Sequence, residues 1–259
     1  MTEDELKAAF ASLYRWEGSR PPDYTWARHR WELRRHVERD GMSRFLAWST
    51  VAATMFTGDV PFVQEEHAGL AEAGWLGLLD EPGLGDPPRL PYDPSTSGNL
   101  VHQAYHLLTW TRATGLDIAN LRTILEFGGG YGGLAVIAWR LGFRGRYYLW
   151  DFPELALIQK YYLSNVLPPG AIDHFEWDAA GAGADLLIGC YSVSEADEAT
   201  RRAVLGRDFG SCLIAYQDRY DDIDNNDWFE KYVVHRPDVD WRFIYKDFQP
   251  GHHYLIGVT

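Results

Sequence analysis

The stretch ILEFGGGYGGLAVIAW, residues 124–139, decides the fold class of this 259-residue chain. It has the pattern of a β-strand that ends in a glycine-rich turn and passes directly into a helix. The glycines of the turn are Gly128, Gly129, Gly130, Gly132 and Gly133. Glycine adopts backbone conformations that other residues avoid, and a helix N-terminus presents unpaired N–H groups to a ligand. This clustering of glycines at a strand-to-helix junction indicates a ligand-binding turn.

Two templates fit the spacing of the turn. Gly128, Gly130 and Gly133 satisfy the G-x-G-x-x-G pattern of dinucleotide binding. With Gly132 in place of Gly133, and with Glu126 before the first glycine, the same turn satisfies E-x-G-x-G-x-G, a pattern of S-adenosylmethionine-dependent methyltransferases. An acid at position 126 suits the ammonium group of a methionine moiety, held directly or through water. The dinucleotide pattern normally has an apolar residue there.

From Thr123 onward, predicted strands alternate with predicted helices. The strands are expected at residues 123–128, 146–151, 172–177, 185–190, 211–217, 240–248 and 252–259. The helices are expected at Gly132–Gly142, Pro153–Val166, Glu195–Leu205 and Asp227–His235. This alternation predicts an α/β fold with a doubly wound, mostly parallel, seven-stranded Rossmann-like sheet. Because only residues 249–251 separate the last two strands, the last strand is predicted to be antiparallel.

Before about residue 120, apolar residues recur at the three- and four-residue spacing of helices. Helical segments are expected at residues 4–18, 24–40, 43–56 and 100–115, and no strand pattern occurs there. Residues 78–99 are rich in Gly, Pro and Asp, which is typical of a loop or linker. The chain is therefore predicted to divide into an N-terminal helical region, residues 1–95, that covers the substrate pocket, and a core, residues 96–259.

The composition is that of a folded globular protein, with 46% hydrophobic and 24% charged residues. The formal net charge of −13 argues against a nucleic-acid partner, because phosphate binding needs a positive surface. The sequence has neither a signal-peptide pattern nor an apolar run of about 18 residues. We therefore expect a cytoplasmic location and no membrane partner.

The chain from Asn99 to Thr259 resembles a class I S-adenosylmethionine-dependent methyltransferase. The segments ILEFGGGYGGLA, YYLWDFPELALIQKYYLSN and DLLIGCYSVSE are similar to the sugar O-methyltransferase family. The resemblance implies that S-adenosyl-L-methionine is the cofactor. It also implies a set of cofactor-binding residues. Glu126 and the glycines Gly128, Gly129 and Gly130 are expected at the methionine part, with Phe127 and Tyr131 beside them in the turn. Asp151 and Phe152 are expected at the ribose and adenine, Asp178 at the adenine edge, and residues 191–195, with Tyr191 and Ser192 as the binding residues, beside the sulfonium.

Asp151 and Asp178 each have a second interpretation. Asp151 ends the second strand 23 residues after Gly128, where an acid accepts hydrogen bonds from the ribose of either cofactor type. It could instead cap the helix that begins at Pro153. Asp178 either binds the adenine amino group or begins a turn. The rival functions are a nicotinamide-dependent oxidoreductase and a non-catalytic subunit with a methyltransferase fold.

The acceptor is expected to be a small molecule. The resemblance favours O-methylation of a sugar-like or secondary-metabolite hydroxyl, and N-methylation of an amine is the alternative. A hydroxyl acceptor needs a base to take its proton. The candidate catalytic residues are His102, Glu195, His252 and His253. His252 and His253 follow the turn at the carboxyl edge of the sheet, and strand alternation sends them to opposite faces.

Asn99, His102 and His106 share one face of the helix before the first strand. Asn99 and His106 are expected to line the substrate pocket, while a solvent-facing surface and a metal site are alternatives. The acidic residues 218–227 are interpreted as a solvated loop in which Asn226 or Asp227 caps the next helix, because a calcium loop needs a glycine and a glutamate that are missing. Residues 65–67 are interpreted as a surface helix start. No metal site is predicted.

Overall fold

The computed structural model describes residues 1–13, 25–179, 181 and 183–259. The chain forms two compact units, each built from separate stretches of sequence. The first unit contains Met1–Ala104, Gly130–Ile137 and Phe152–Ile172, and the second contains Tyr105–Gly129, Ala138–Asp151 and Asp173–Thr259. The predicted division into residues 1–95 and 96–259 stays a prediction.

The N-terminal part of the chain is mainly helical. Its helices are α1 (Glu3–Ser12), α2 (Thr25–Arg39), α3 (Ser49–Thr54), α4 (Pro61–Glu72) and α5 (Gly98–Thr114), with 3-10 turns at Met42–Ala47 and Leu76–Leu78. A capping box of Thr2 and Glu5 begins α1. Instead of one helix over 43–56, the chain breaks at Trp48, which is extended and buries its indole. Residues 14–18 and 24 of the predicted helices lie outside the described residues.

A short antiparallel hairpin lies within the predicted loop. It pairs Arg89–Leu90 with Asp93–Ser97. The prediction that no strand occurs before residue 120 is therefore wrong. The first of these strands has only two residues, and the second reads DPSTS, so neither shows the apolar alternation by which a strand is recognised.

The second unit holds a seven-stranded sheet. Its strands are β1 (Thr123–Phe127), β2 (Arg146–Trp150), β3 (Phe175–Glu176), β4 (Ala184–Cys190), β5 (Phe209–Gln217), β6 (Asp240–Tyr245) and β7 (His252–Val258). Their order across the sheet is β6-β7-β5-β4-β1-β2-β3. The first five strands pair in parallel, and β7 is antiparallel to both of its neighbours. The predicted Rossmann-like sheet with an antiparallel last strand is confirmed.

Several boundaries differ from the predicted ones. The edge strand β3 has two residues and follows a 3-10 turn at Ala171–His174. Strand β6 ends at Tyr245, so residues 246–251 form the connection to β7. The remaining helices are α6 (Gly133–Arg140), α7 (Pro153–Val166), α8 (Ser192–Glu195), α9 (Glu198–Leu205) and α10 (Asn225–Val234). Asp197 caps α9 and separates it from α8, where one helix was expected.

The core of the second unit lies on one face of this sheet. Apolar side chains of β1, β4, β5 and β7 pack there with residues of α9 and α10; they include Leu125, Leu187, Ile214, Leu255, Val204 and Phe229. Because β1, β2, β4 and β5 run in parallel, their carboxyl ends meet at one edge of the sheet. Among the described residues, no helix has the length and apolar character needed to cross a membrane.

Candidate functional site

The turn after β1 is fixed by contacts inside the second unit. Gly128 has a φ of +75°, and its N–H donates a hydrogen bond to the carbonyl oxygen of Trp150 at 2.9 Å. A Cβ atom at position 128 would overlap the side chain of Ser192, whose hydroxyl donates to the carbonyl oxygen of Phe127. Backbone conformation and packing therefore both require glycine at position 128.

Glu126, the next-to-last residue of β1, is a buried acid beneath this turn. Its side chain is 4% exposed, and its Oε2 accepts a hydrogen bond of 2.7 Å from the hydroxyl of Tyr147. A Cβ atom at Gly129 would lie 3.1 Å from the same oxygen, so the carboxylate lies directly against the backbone of the turn. Burial raises the pKa of Glu126 to about 7, and the hydrogen bond from Tyr147 opposes that rise.

Gly130 and Tyr131 continue the turn within the first unit. The carbonyl oxygen of Gly130 accepts a hydrogen bond from Gln159 Nε2 at 3.0 Å. Tyr131 is buried, and its hydroxyl accepts a hydrogen bond of 2.8 Å from Asn99 Nδ2. The other end of the Asn99 amide accepts from the backbone N–H of Thr57 at 3.0 Å. Both ends of the Asn99 amide are thus used in contacts with its own unit.

Asp151 and Asp178 belong to the second unit. Asp151 follows the last residue of β2 and is half-buried, at the edge where the parallel strands end. The N-cap of α7 is Phe152, so the structure does not support Asp151 as the capping residue. Asp178 lies two residues after β3 and is exposed. The roles of Asp151 at the ribose and of Asp178 at the adenine stay predictions.

Phe152 belongs to the first unit, where α2 packs on its ring. The Arg30 guanidinium carbon lies 4.7 Å from the Phe152 centroid, and the Trp26 ring lies 5.8 Å away. Arg30 and Arg34 also bind the fully buried Glu154, at 2.8 and 2.7 Å. Burial alone would raise the pKa of Glu154, but the two arginines bring it below its usual value. This ion-pair cluster fastens α2 to the first turn of α7.

Tyr191 has an unusual backbone conformation directly after β4. Its φ of +65° and ψ of −35° lie where residues other than glycine are rarely found, and such outliers cluster at functional sites. Its N–H donates to the carbonyl oxygen of Ala215 at 2.7 Å. Ser194 donates to the carbonyl oxygen of Tyr191 at 2.7 Å and lies 2.9 Å from Gln217 Oε1. These contacts hold Tyr191 and α8 against the end of β5.

Glu195, the last residue of α8, is half-buried. Its N–H donates to the carbonyl oxygen of Tyr191 at 3.0 Å. The buried guanidinium of Arg201 donates to the carbonyl oxygens of Ser194 and Ala196. Arg201, a residue of α9, therefore connects α9 to the C-terminal end of α8. The sequence did not indicate this contact.

His252 and His106 meet at Tyr191 within the second unit. His252 Nδ1 lies 3.2 Å from the Tyr191 hydroxyl oxygen. The His106 ring packs edge-on against the Tyr191 ring with centroids 6.1 Å apart, and His106 Nδ1 lies 2.9 Å from the hydroxyl oxygen of Tyr254. His106 is fully buried, so the solvent-facing interpretation of this histidine is wrong.

His253 points to the opposite face of β7, as alternation predicted. Its Nε2 lies 2.5 Å from Asp218 Oδ1, and its ring packs between Tyr216 and Tyr245. Hydrogen bonds from Asn226 and His253 lower the pKa of Asp218. In the same acidic stretch, Asp224 caps α10 and its Oδ1 accepts from the N–H of residue 227, so the prediction that Asn226 or Asp227 is the cap is wrong.

His102 forms a buried pair with Glu66 in the first unit. His102 Nδ1 lies 2.8 Å from Glu66 Oε2, and the two residues are 4% and 0% exposed. The solvent-facing interpretation of His102 is therefore wrong. The interpretation of residues 65–67 as a surface helix start is also wrong, because Glu66 lies in the middle of α4 and faces the interior.

Sequence reasoning missed three residues of the second unit that contact candidate site residues. Tyr147 contacts Glu126, the N–H of Lys246 donates to the carbonyl oxygen of His252, and Tyr254 contacts His106. Lys246 is buried, and its ammonium group lies 5.2, 5.4 and 5.8 Å from the ring centroids of Tyr254, Phe248 and Tyr105. Strand alternation could have placed Tyr254 on the face of His252. Tyr147 had no comparable signal, because its contact with Glu126 depends on the register between β1 and β2.

Comparisons with known proteins show likenesses of fold. No protein-family model matches the sequence, and no curated protein matches it closely enough to indicate a relationship. Magnesium protoporphyrin IX methyltransferase (ChlM) from Synechocystis PCC 6803 with bound SAM has 14% identity and a TM-score of 0.49, covering 89% of this chain and 96% of its own.

Two further solved structures are similar over a smaller share of this chain. The glycopeptide N-methyltransferase MtfA has 14% identity, a TM-score of 0.45 and coverage of 61% of this chain and 90% of its own. The methyltransferase domain of bacterial CtHen1 has 14% identity, a TM-score of 0.46 and coverage of 62% of this chain and 100% of its own. Because each TM-score lies below 0.5, these likenesses assign neither a reaction nor a cofactor to this chain.

Proposed function

We propose that the chain is an S-adenosylmethionine-dependent methyltransferase that methylates a hydroxyl group of a small, sugar-like or secondary-metabolite acceptor. The observation that carries this proposal is the buried Glu126 carboxylate against the backbone of Gly129, at the carboxyl end of the central strand β1. Ligands of open α/β sheets bind at this edge. The charge of Glu126 therefore selects the ligand that the turn accepts.

A carboxylate beneath the turn favours a cationic ligand. Two unit charges about 4 Å apart interact with about 4 kcal/mol at an effective dielectric constant of about 20. For the pyrophosphate of a dinucleotide this energy is repulsive, whereas for the ammonium group of a methionine moiety it is attractive. The buried setting of Glu126 thus supports S-adenosylmethionine over the nicotinamide cofactors that fit the glycine spacing.

The strand order supports the same choice. Dinucleotide-binding sheets of the Rossmann type have the order 3-2-1-4-5-6. In this sheet the antiparallel β7 lies between β5 and β6. Because β7 lies between β5 and β6, its first residue, His252, pairs with Gln217 at the end of β5. His252 therefore also lies near Tyr191.

The second unit also supplies a candidate base. When bound, S-adenosylmethionine provides an electrophilic methyl group on a sulfonium, and the acceptor oxygen attacks it as the hydroxyl proton leaves. Of the candidate catalytic histidines, His252 is the one that contacts Tyr191. The next residue, Ser192, lies against Gly128 of the glycine turn. We assign the base to His252. Its Nδ1 near the Tyr191 hydroxyl fixes the ring orientation.

N-methylation of an amine is the second candidate, and the base distinguishes the two. An amine that arrives deprotonated needs no side-chain base, whereas an aliphatic hydroxyl does. Because the contact with Tyr191 orients His252 as a candidate base, it favours a hydroxyl acceptor over an amine acceptor. The cofactor assignment is the same in both cases.

Calorimetric titration of the purified protein with S-adenosylhomocysteine and with NAD tests the cofactor. We expect S-adenosylhomocysteine to bind with a micromolar dissociation constant and NAD to give no binding heat. Binding of NAD alone would establish the oxidoreductase instead. Binding of neither ligand would support a non-catalytic subunit.

The acceptor is then found by screening hydroxyl compounds for the mass gain of one methyl group. With that acceptor, we expect His252→Ala to lower the single-turnover rate by about a hundredfold, the usual contribution of a general base, while the affinity for S-adenosylhomocysteine stays within about threefold. His253→Ala is the matched control on the opposite face of β7. An equal loss of rate in both variants, or no loss of rate in His252→Ala, would contradict the assignment of His252 as the base. The other two candidates would then be compared in the same assay as His102→Ala and Glu195→Gln.

A further inference from the structure

Tyr147 and Glu126 form a buried pair that bridges two neighbouring strands. Tyr147 lies on β2 and is fully buried, and its hydroxyl donates to Glu126 Oε2 at 2.7 Å. The Tyr147 ring also packs against Phe143 and Phe175, with centroids 5.9 and 5.4 Å away. The ring therefore has a packing role of its own, and the hydroxyl group has a separate contact with the acid.

We propose that Tyr147 is a positioning residue that holds the Glu126 carboxylate ionised beneath the glycine turn, and so sets the pH range in which the cofactor's ammonium group is bound. This inference rests on the proposed function, because it takes S-adenosylmethionine as the ligand. In this role Tyr147 acts through Glu126: it controls the charge of the acid that binds the cofactor and contacts neither the cofactor nor the acceptor itself.

The direction of the effect follows from the chemistry of the pair. A donated hydrogen bond stabilises a carboxylate more than a carboxylic acid, and hydrogen bonds to charged groups contribute about 1.5 to 3 kcal/mol. Glu126 has lost most of its hydration through burial, which raises its pKa to about 7. Removing the Tyr147 hydroxyl takes away the opposing contribution and raises the pKa further. At neutral pH the acid would then be mostly uncharged.

Two titratable groups interact electrostatically with Glu126, and neither changes charge in the same pH range. Cys190, at the end of β4, is influenced by the charges of Glu126 and Lys246, and burial raises the pKa of its thiol well above the ordinary value. Burial also raises the pKa of Tyr147 itself. Between about pH 6 and pH 8.5 both groups stay protonated, so Glu126 is the member of this set that titrates.

The test compares Tyr147→Phe with the parent protein by calorimetric titration with S-adenosylhomocysteine at several pH values from about 6 to about 8.5. The ratio of the two dissociation constants at each pH cancels the titration of the ligand's own amino group. We expect Tyr147→Phe to bind about tenfold more weakly at about pH 6, the effect of about one pKa unit. The ratio should fall to within about threefold at about pH 8.5, where Glu126 is ionised in both proteins.

Two further variants separate this role from a structural one. Tyr148→Phe removes the neighbouring hydroxyl of β2, which alternation places on the other face of the sheet, and should leave the ratio near one at every pH. In a Glu126→Gln background, adding Tyr147→Phe should no longer have a pH-dependent effect. A ratio that is the same at all pH values, or a pH-dependent effect that persists without Glu126, would overturn the inference. A parent protein that binds no S-adenosylhomocysteine at any pH would refute the proposed function instead.

Discussion

At the scale of single residues, Glu126 couples the stability of the fold to pH. Its pKa is raised from 4.5 to about 7 in the folded protein, so the folded state holds more protons than the unfolded state between these values. Stability is therefore expected to fall as the pH rises through this window, by about 3 kcal/mol in total for a shift of this size. Glu126→Gln should remove that loss.

Urea unfolding of the parent and of Glu126→Gln at about pH 5 and about pH 8 measures the effect. The quantity to compare is the change in unfolding free energy between the two pH values, since the other titrating groups contribute equally to both proteins. Glu126→Gln should lose less stability on going to the higher pH. Identical losses in the two proteins would show that Glu126 ionises as freely in the folded state as in the unfolded chain.

The glycine turn and its acid could be read from the sequence because their signals are local. Gly128 and Glu126 are two residues apart, and the turn chemistry restricts which residues fit there. The partners of other site residues could not be found in this way. His102 binds Glu66, 36 residues earlier, and His106 approaches Tyr254, 148 residues later. Such pairs depend on tertiary packing that no local sequence pattern encodes. For this reason the sequence left a solvent-facing position open for both His102 and His106, although both are buried.

At the scale of elements, helix α2 is fastened to α7 by a buried carboxylate. Arg30 and Arg34 both bind Glu154, which is fully buried. Removing the cations from a buried ion pair leaves an uncompensated charge, which costs about 3 to 5 kcal/mol. We therefore expect Arg30→Met together with Arg34→Met to destabilise the protein by about 3 kcal/mol at neutral pH.

The pH dependence of that loss has a defined sign. Because the pKa of Glu154 is lowered in the folded protein, its ion pairs stabilise the fold above the ordinary carboxyl pKa and lose their effect as the pH falls through the folded value. The double variant should therefore differ less from the parent at about pH 3.5 than at about pH 7 in urea unfolding. Arg28→Ala, on the exposed side of α2, is the matched control and should change stability by less than about 0.5 kcal/mol. An equal loss at both pH values would show that packing of the arginine stems is responsible.

Element boundaries were harder to predict than element types. The alternation of strands and helices after residue 123 is strongly periodic, and all seven strands occur. The predicted helix over 195–205 is interrupted because Asp197 caps a new helix and Arg201 binds the carbonyl oxygens of the break. The predicted third strand is reduced to Phe175–Glu176, since an edge strand pairs with only one neighbour. Caps and pairing partners of this kind are decided by tertiary contacts.

At the scale of the whole molecule, the sequence shows where the composition changes along the chain. It does not show which distant stretches pack into one compact unit. Residues 78–99 suggested a boundary, whereas the first unit also contains Gly130–Ile137 and Phe152–Ile172. Contacts between distant residues join these stretches: Asn165 binds the carbonyl oxygen of Met1, and Glu154 binds Arg34 across 120 residues. Long-range ion pairs and hydrogen bonds therefore connect these stretches within the first unit, and composition along the chain does not report such contacts.

The net charge of −13 leads to the last prediction, which concerns the acceptor class. Nucleic-acid binding gains much of its affinity from lysine and arginine contacts with phosphates, and an excess of acidic residues opposes it. We therefore expect the protein, incubated with methyl-labelled S-adenosylmethionine and a cell extract, to transfer the label to a compound of the small-molecule filtrate that chromatography separates from S-adenosylmethionine. The retained protein and RNA fractions should hold no more label than in a control lacking the enzyme. His252→Ala should strongly reduce the label in that product, because an unactivated hydroxyl is a poor nucleophile. Label that is sensitive to ribonuclease or protease would show a macromolecular acceptor and would overturn the small-molecule part of the proposal, while leaving the cofactor assignment intact.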